Sequence, residues 1–426
     1  MSDKRLVVSL PGRDIGELTQ DRHGLIRWTP DPDWDAEQEP RLGVDFLRQR
    51  GPRAHASDLP SWFENLLPER ESPLRARLSR AHGLRDGQSF ELLRALGRDL
   101  IGAVEARPSV VPGEHANAPA TTDTPAAGEA PGADASEAGL RLSSLTGMQL
   151  KFSMSMVNDR LTLSAHAGGS VWIVKLAGGY EDLAEVETAT MTWAKRAGFD
   201  VPEHFTVPFD HLDGIPPGWA EGAAPAFAVR RFDRREDGSK IHQEDLCQAL
   251  ALRPSNKYGD QGPFVTFEGA LRQVHDACGE EDAREMARRM GFVIASGNGD
   301  AHLKNWSLLW GERTRPTLTP CYDLVTTIAW ESMGWDRQGG PNLALALGGE
   351  IRFRRLTQQA LEACAVGSGC SWAKDEILAG IERSRNAWPE IEATAPERMR
   401  GAVSKHWSAV PLLDQMGPLM PPTSRE

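Results

Sequence analysis

The alternation of hydrophobic and polar positions divides the chain into stretches of different character. Residues 1–107 begin with a strand-like run, Leu6–Leu10, and continue with short helices predicted at Pro60–Leu66, Pro73–Ala81 and Ser89–Leu96. Residues 108–139 are largely Pro, Ala, Gly, Thr and acidic residues, so we expect a disordered linker or inserted loop. Residues 140–240 are predicted to be rich in strands, and residues 241–426 mostly helical. The pattern therefore predicts an N-terminal subdomain, a β-rich lobe and a helical lobe.

The helical lobe contains the strongest periodic signals. Its predicted helices are Phe267–Cys278, Ala283–Ser296, Lys374–Arg385 and Glu397–Ser408. The second has a single apolar stripe, made of Met286, Met290, Val293 and Ile294. Two strand-like runs, Trp306–Trp310 and Thr317–Thr319, then flank a turn signal that contains glycine and proline. We therefore expect a helix, a polar loop and a β-hairpin in succession.

A lysine interrupts the apolar face of a predicted strand in the β-rich lobe. The strands expected there are Phe152–Val157, Arg160–His166 and Val171–Ala177. Because side chains alternate along a strand, Lys175 shares a face with Val171 and Ile173. A lysine on such a face costs desolvation energy unless it has a partner. Glu187, on the edge of the packed stripe of the following helix, could be that partner, and a lysine that reaches solvent is the alternative.

Composition and charge narrow the class of protein. The chain has 426 residues, enough for two or three hydrophobic cores. It has no apolar run near the roughly 20 residues of a membrane span, and it starts with no secretory signal. Its five cysteines without such a signal indicate free thiols in a reducing compartment, so we expect a cytoplasmic protein. The net charge of -12 argues against nucleic-acid binding by the chain as a whole.

The polar loop after Ala283–Ser296 has the most specific spacing in the chain. Asp300 precedes Asn305 by five residues, and Asp323 follows the predicted hairpin. In a protein kinase, residues so spaced accept the proton of the attacking hydroxyl and bind magnesium, which carries the phosphates of ATP. A strand lysine with a helix glutamate, as expected for Lys175 and Glu187, positions those phosphates. The set predicts a kinase, although any one of these residues alone could be an ordinary loop residue.

The segment before the first strand of the β-rich lobe could cover a phosphate. It runs from Ser143 to Lys151 and contains a single glycine, Gly147. It is therefore neither the usual glycine-rich kinase loop nor a Walker A sequence. By itself this segment is a weak signal.

Taken together, these motifs resemble those of HipA-type serine/threonine kinases, the toxins of bacterial HipBA toxin–antitoxin modules. The resemblance rests on Ser144-x-x-Gly147-x-Gln149-x-Lys151, Ile173-Val174-Lys175-Leu176, Arg231-Phe232-Asp233-Arg234, Gln243–Gln248, Asp300-x-His302-x-Lys304-Asn305 and Tyr322-Asp323. It extends to the N-terminal region through Phe63–Pro68, Phe90–Leu93 and Gly97–Ala103. The resemblance implies an α+β, protein-kinase-like two-lobed fold, with an N-terminal subdomain at 1–107, a linker at 108–139, an N-lobe at 140–240 and a C-lobe at 241–426.

The resemblance also implies roles for individual residues. Asp300 would be the catalytic base, and Asn305 and Asp323 would bind magnesium. The ATP-binding residues would be Gly147, Gln149, Lys151, Lys175 and Glu187, together with a hinge, Arg231, Phe232 and Asp233, whose backbone would bind the adenine. Lys304 could steady the transferred phosphoryl group or be a solvated lysine. Autophosphorylation would fall on Ser144, or on the adjacent Ser143, and would switch the enzyme off because the added charge opposes another phosphate.

The partners and targets expected from the resemblance are those of a toxin. They are a HipB-like helix-turn-helix antitoxin, operator DNA contacted mainly through that antitoxin, and an aminoacyl-tRNA synthetase as substrate. For the substrate, glutamyl-tRNA synthetase or a relative is expected, so that translation stops and cells enter persistence. Two alternatives are a small-molecule kinase of similar fold and a catalytically dead scaffold for an antitoxin. The N-terminal region argues against the first alternative, and the intact set of Lys175, Asp300, Asn305 and Asp323 argues against the second.

Overall fold

A computed structural model describes most of the chain. The described residues are 3–35, 41–56, 58–85, 87–109, 150–163, 171–177, 180, 182–215, 224–260, 265–311, 315–330 and 341–417. Nearly all of the predicted linker at 108–139 lies outside these ranges, as do Ser143, Ser144, Gly147 and Gln149. Within the described part, no helix is both long enough and apolar enough to cross a membrane.

The N-terminal region forms an antiparallel sheet covered by short helices. Its strands are β1 (Lys4–Leu10), β2 (Arg13–Gln20), β3 (Leu25–Pro30), β4 (Arg53–Ala56) and β5 (Glu105–Pro108). Its helices are α1 (Val44–Arg48), α2 (Ser61–Glu64), α3 (Pro73–Ala81) and α4 (Ser89–Leu96). The strand order is β4-β3-β2-β1-β5, so the first strand of the region pairs with its last strand. The predicted helix Pro60–Leu66 is shorter in the structure, because the chain turns at Asn65.

The second region is a six-stranded sheet with one long helix. Its strands are β6 (Lys151–Val157), β7 (Arg160–Leu163), β8 (Trp172–Lys175), β9 (His204–Val207), β10 (Leu212–Asp213) and β11 (Ala226–Arg230), in the order β10-β7-β6-β8-β11-β9. Helix α5 (Leu183–Arg196) follows β8. In the pairing of β6 with β8, Lys151 lies directly opposite Lys175. The sheet therefore places two lysines side by side.

The third region is mostly helical. It contains β12 (His242–Asp245), α6 (Leu246–Ala249), α7 (Phe267–Cys278), α8 (Glu280–Ser296), β13 (Ser307–Trp310), β14 (Thr317–Leu318), β15 (Asn342–Leu347), β16 (Glu350–Arg352), α9 (Gln358–Ser368), α10 (Ala373–Glu392), α11 (Glu397–Ala409) and α12 (Pro411–Asp414). The predicted hairpin is present as β13 and β14, and β12 joins it as a third strand. Helix α8 begins earlier than predicted, at Glu280, because Gly279 turns the chain and three acidic residues occupy its first turn. Helix α10 runs on to Glu392, through Pro389.

Hydrophobic packing joins the three regions. One core includes Trp28 and Phe63 of the N-terminal region together with Phe152 and Val174 of the six-stranded sheet. A second core lies within the helical lobe. A third core joins α5 to α8, α10 and α11, with Trp193 of α5 fully buried at its centre. Because of this third core, the helix that contains Glu187 is fixed against the helical lobe.

Candidate active site

The loop after α8 is closed by its own hydrogen bonds. Gly297 ends α8 with φ of +64°, and a Cβ there would lie 2.5 Å from a side-chain carbon of Ile328, so only glycine fits. The Asn298 side chain accepts the N–H of Asp300 at 3.0 Å. Asn305 Nδ2 donates to the Asp300 carbonyl at 2.8 Å. These bonds fix the backbone at Asp300 and link it to Asn305.

The Asp300 carboxyl lies in a pocket that disfavours its charge. Burial raises its pKa from 3.8 to about 7, although the nearby positive charge of Lys257 acts in the opposite direction. Tyr258 donates its hydroxyl to Asp300 Oδ1 at 2.9 Å. His302 is also close, with Nε2 3.9 Å from Asp300 Oδ1, and burial holds the pKa of this imidazole well below its usual range. The neutral imidazole therefore leaves Asp300 as the group able to exchange a proton near neutral pH.

Four charged side chains meet where β6, β8 and α5 face Asp323. Lys175 forms ion pairs with both Glu187 and Asp323. Lys151 Nζ lies 3.2 Å from Asp323 Oδ2. Two ammonium groups and two carboxylates compensate each other here, which allows Lys151, Lys175 and Glu187 to be buried.

Within this cluster, the two lysines determine the charge state of Asp323. Burial alone would raise the pKa of Asp323, but the ammonium groups of Lys151 and Lys175 outweigh burial and hold the pKa below its usual range. Asp323 thus stays ionised. Its backbone has φ of +56°, an uncommon conformation for a residue other than glycine, and such residues occur often at functional sites.

Asn305 and Asp323 offer a site that suits magnesium. Both line the same cavity of about 20 Å³, which lies between α8 and β14. Because Nδ2 of Asn305 is engaged by Asp300, its carbonyl oxygen is the atom left for a cation. Among the described residues, no group of three or more His, Cys, Asp and Glu side chains could hold a metal. An amide oxygen with one carboxylate fits Mg²⁺, which takes its remaining ligands from water and substrate phosphates.

The side chains of Arg231 and Asp233 in the predicted hinge bond to other groups of the protein. The guanidinium of Arg231 bonds to both carboxylate oxygens of Asp233 at 2.8 Å and to Ser153 at 2.9 Å. Asp233 also accepts the backbone N–H of Gly102 at 2.9 Å. The Arg231 and Asp233 side chains therefore fasten the N-terminal region to the β-rich lobe. The ring of Phe232 lies 5.5 Å from that of Tyr322, and the predicted contact of the hinge backbone with adenine stays a prediction.

Of the two alternatives for Lys304, the solvated lysine is wrong. Its side chain is buried, and its ammonium contacts Asp245 and the side-chain oxygen of Asn65, the latter at 2.9 Å. A lysine engaged by these groups does not project into solvent, and its contact with a phosphoryl group stays a prediction. Lys304 instead joins the loop to the N-terminal region. Sequence reasoning missed this because Asn65 is 239 residues away along the chain.

Sequence reasoning also missed Lys257 and Tyr258, which lie beside Asp300. They follow a short 3-10 turn, Pro254–Asn256, in a segment with no helical or strand periodicity. The one signal available was an aromatic residue before a glycine, Gly259, which is too common to identify a site. Only the fold brings this segment to the loop.

Comparisons with known proteins agree with this architecture. The family model described as HipA N-terminal domain matches residues 6–107, and the one described as HipA-like C-terminal domain matches residues 143–394. The putative kinase Y4dM of Sinorhizobium fredii is 40% identical over 404 residues, which cover 92% of this chain and 93% of the relative. The serine/threonine-protein kinase toxin HipA of Shewanella oneidensis is 26% identical over 359 residues, covering 79% of this chain and 77% of that protein.

A solved structure shows the same fold. It is HipA of Shewanella oneidensis in complex with HipB and operator DNA, with a TM-score of 0.67, 24% identity and coverage of 94% of each chain. This likeness confirms the predicted two-lobed, kinase-like α+β fold with an additional N-terminal domain. On the family matches and the identity to Y4dM, the chain belongs to the HipA family.

Proposed function

We propose that this HipA-family kinase transfers the γ-phosphate of ATP to a serine or threonine of a protein, with magnesium. The observation that supports this best is the cluster of Lys151, Lys175, Glu187 and Asp323 beside the loop of Asp300 and Asn305. It joins two cations for phosphates with a carboxyl able to exchange a proton at neutral pH. Phosphoryl transfer requires mainly positioning and charge stabilisation, which these groups supply.

Each residue has a distinct task in the proposed reaction. Asp300 takes the proton of the acceptor hydroxyl as the new P–O bond forms and the bond to ADP breaks. Lys175, held by Glu187, and Lys151 bind phosphate oxygens. Asn305 and Asp323 would hold magnesium, which when bound neutralises phosphate charge. The fixed backbone around Asp300 keeps the base in line with the acceptor.

The first test is phosphate transfer by the purified chain. We expect incubation with magnesium and γ-labelled ATP to yield labelled protein and ADP, and Asp300→Asn to lower the rate by at least about a hundredfold because an amide cannot accept the proton. Asp276→Asn, an exposed aspartate of α7, is the matched control and should keep wild-type activity. Equal activity of Asp300→Asn and wild type would contradict the proposal.

We further propose that the protein acts as the toxin of a toxin–antitoxin pair. A HipB-like antitoxin would restrain it and mediate contact with operator DNA, and an aminoacyl-tRNA synthetase would be its target. Expression in bacteria should stop growth in an Asp300-dependent way, and phosphoproteomics after induction should find a phosphorylated synthetase. If the dominant product is instead a phosphorylated sugar, choline or antibiotic, the protein is a small-molecule kinase.

Self-inactivation is the last part of the proposal. A phosphate on Ser144 or Ser143, next to the segment that leads to Lys151, adds nearly two negative charges to a region that binds phosphates. Mass spectrometry after incubation with magnesium and ATP should place the modification there, with a loss of ATP affinity. A phosphorylated form that binds ATP as well as the unmodified protein would contradict this part alone.

A further inference from the structure

A short segment of the N-terminal region, residues 65–69, reaches the loop that contains Asp300 and the chain beside it. Glu69 forms an ion pair with Lys257, with its Oε1 2.8 Å from Lys257 Nζ. The carbonyl of Lys257 in turn accepts the N–H of Leu303, in the loop, at 2.9 Å. At the other end of the segment, Asn65 donates to the Leu252 carbonyl at 2.8 Å. The segment is thus connected to the loop directly, through the contact of Asn65 with Lys304, and indirectly, through residues 252–258.

Tyr258 connects this segment to the base itself. Its hydroxyl donates to Asp300 Oδ1 at 2.9 Å, and no side chain or backbone group of the described residues donates to Oδ2. The ring packs edge-on against His302, with centroids 5.3 Å apart, and Lys257 Nζ lies 5.1 Å from its centroid. Tyr258 is therefore fixed on two sides, and it fixes one carboxylate oxygen while leaving the other for an acceptor.

We infer that Tyr258 and the Glu69–Lys257 ion pair are positioning residues for the catalytic base, so that the N-terminal region completes the active site. This inference rests on the proposed kinase function. Lys257 acts electrostatically on Asp300, and Glu69 keeps its ammonium engaged. Without Glu69, Lys257 loses this counter-ion, and an ion pair with Asp300, whose charge it already affects, would occupy the base.

The inference predicts a specific kinetic signature. Tyr258→Phe and Glu69→Gln should each lower kcat by about tenfold or more, because a misdirected base loses its alignment with the acceptor. The KM for ATP should stay within about twofold of wild type, since neither residue belongs to the lysine cluster. The measurement is ADP release from Mg·ATP by the full-length chain, with Asp300→Asn as background and thermal unfolding as a check of folding.

The matched control is an ion pair that joins the same two regions but does not involve Lys257 or Tyr258. Asp58 of the N-terminal region forms an ion pair with Arg253, with Oδ2 3.1 Å from Nη1. Asp58→Asn weakens the same interface and also removes the ion pair of Asp58 with Arg70, so it should lower stability at least as much as Glu69→Gln does but leave kcat unchanged. If Asp58→Asn and Glu69→Gln lower kcat equally, Glu69 only stabilises the interface, and the inference is overturned.

Exchanging the charges of Glu69 and Lys257 distinguishes attachment of the N-terminal region from positioning of Asp300. The double variant Glu69→Lys with Lys257→Glu restores an ion pair at the interface but places a negative charge beside Asp300. We expect the unfolding temperature to recover and kcat to stay low; recovery of both would overturn the inference. If the wild type is active and Tyr258→Phe and Glu69→Gln have the same kcat as the wild type, the inference is also overturned. The proposed kinase function is unaffected by that result. A wild type that releases no ADP above the Asp300→Asn background overturns both.

Discussion

At the scale of single residues, two half-buried carboxyl groups of one site have opposite properties. Asp323 faces two lysines and stays ionised, whereas Asp300 lies near Lys257, whose charge Glu69 partly cancels. Burial therefore dominates at Asp300 and raises its pKa to about 7, while positive charge dominates at Asp323. Such divergence would let one site use the same type of residue as a metal ligand and as a base, as we propose for Asp323 and Asp300.

The charge of Lys257 should be visible in the pH dependence of the reaction. Asp300 acts as a base only when deprotonated, so the rate should rise with pH through its pKa and then level off. Lys257 lowers that pKa, and Lys257→Met should therefore move the rise to higher pH. Lys257→Arg, which keeps the charge, should leave the profile in place. The rate of ADP release between pH 5.5 and 9 measures both, and an unmoved profile in Lys257→Met would contradict the assignment.

At the scale of elements, α5 connects strand β8 to the helical lobe. Glu187 lies on one face of α5 and contacts Lys175 of β8. Trp193 packs against Phe292 and Trp388, and its indole N–H donates to the Ser384 carbonyl at 2.7 Å. The orientation of Glu187 thus depends on an aromatic contact two turns away.

Removing the Trp193 side chain should lower both the stability of the protein and its affinity for ATP. Trp193→Ala removes a fully buried indole, which should lower the free energy of unfolding by about 3–5 kcal/mol. ATP affinity should fall as well, because α5 no longer holds Glu187 against Lys175. Chemical denaturation and ATP titration measure these effects, and Trp407→Ala, at the half-buried edge of the same cluster, is the milder comparison. Unchanged ATP affinity in folded Trp193→Ala would show that α5 is fixed independently.

Local elements were the part of the fold that the sequence could predict. Helix α7 and helices α3 and α4 have the predicted ends, because caps and periodicity lie within a few neighbouring residues. The partner of Lys175 was also foreseeable, since Glu187 is only 12 residues away on the next element. Lys304 was not, because its neighbours come from Asp245 and from Asn65 in another region. Contacts between distant segments leave no periodic pattern in either segment.

At the scale of the whole molecule, Glu244 joins the N-terminal region to the helical lobe. Its carboxyl accepts the backbone N–H of Val44 at 2.8 Å and the indole N–H groups of Trp62 and Trp310, each at 3.1 Å. A Cβ on Gly43 would lie 2.4 Å from the same carboxyl, so the approach of the two regions requires glycine there. Burial raises the pKa of Glu244 to about 8, in spite of these donors.

The contribution of Glu244 to stability should therefore fall with rising pH. Glu244 in the folded protein keeps a proton that the unfolded chain, with its ordinary pKa of 4.5, releases. Its contribution is complete below pH 4.5, is lost as the pH rises to about 8, and is flat above that value. Each pH unit within this window costs up to about 1.4 kcal/mol. Urea unfolding at pH 6 and 8.5 should show a smaller decline for Glu244→Gln than for wild type, and parallel declines would contradict the assignment.

The pairing of Asp323 with Lys151 and Lys175 has a thermodynamic consequence for the binding of ligands. In the protein without nucleotide, this carboxylate is the counter-ion of the same two lysines that ATP phosphates would engage. Phosphates and Asp323 therefore compete for one pair of charges, and a cation that attracts Asp323 releases the lysines. We expect magnesium and ATP to increase each other's affinity by the same factor, as linkage requires. The site should then respond to magnesium and ATP together, and we expect neither ligand alone to separate Asp323 from the two lysines.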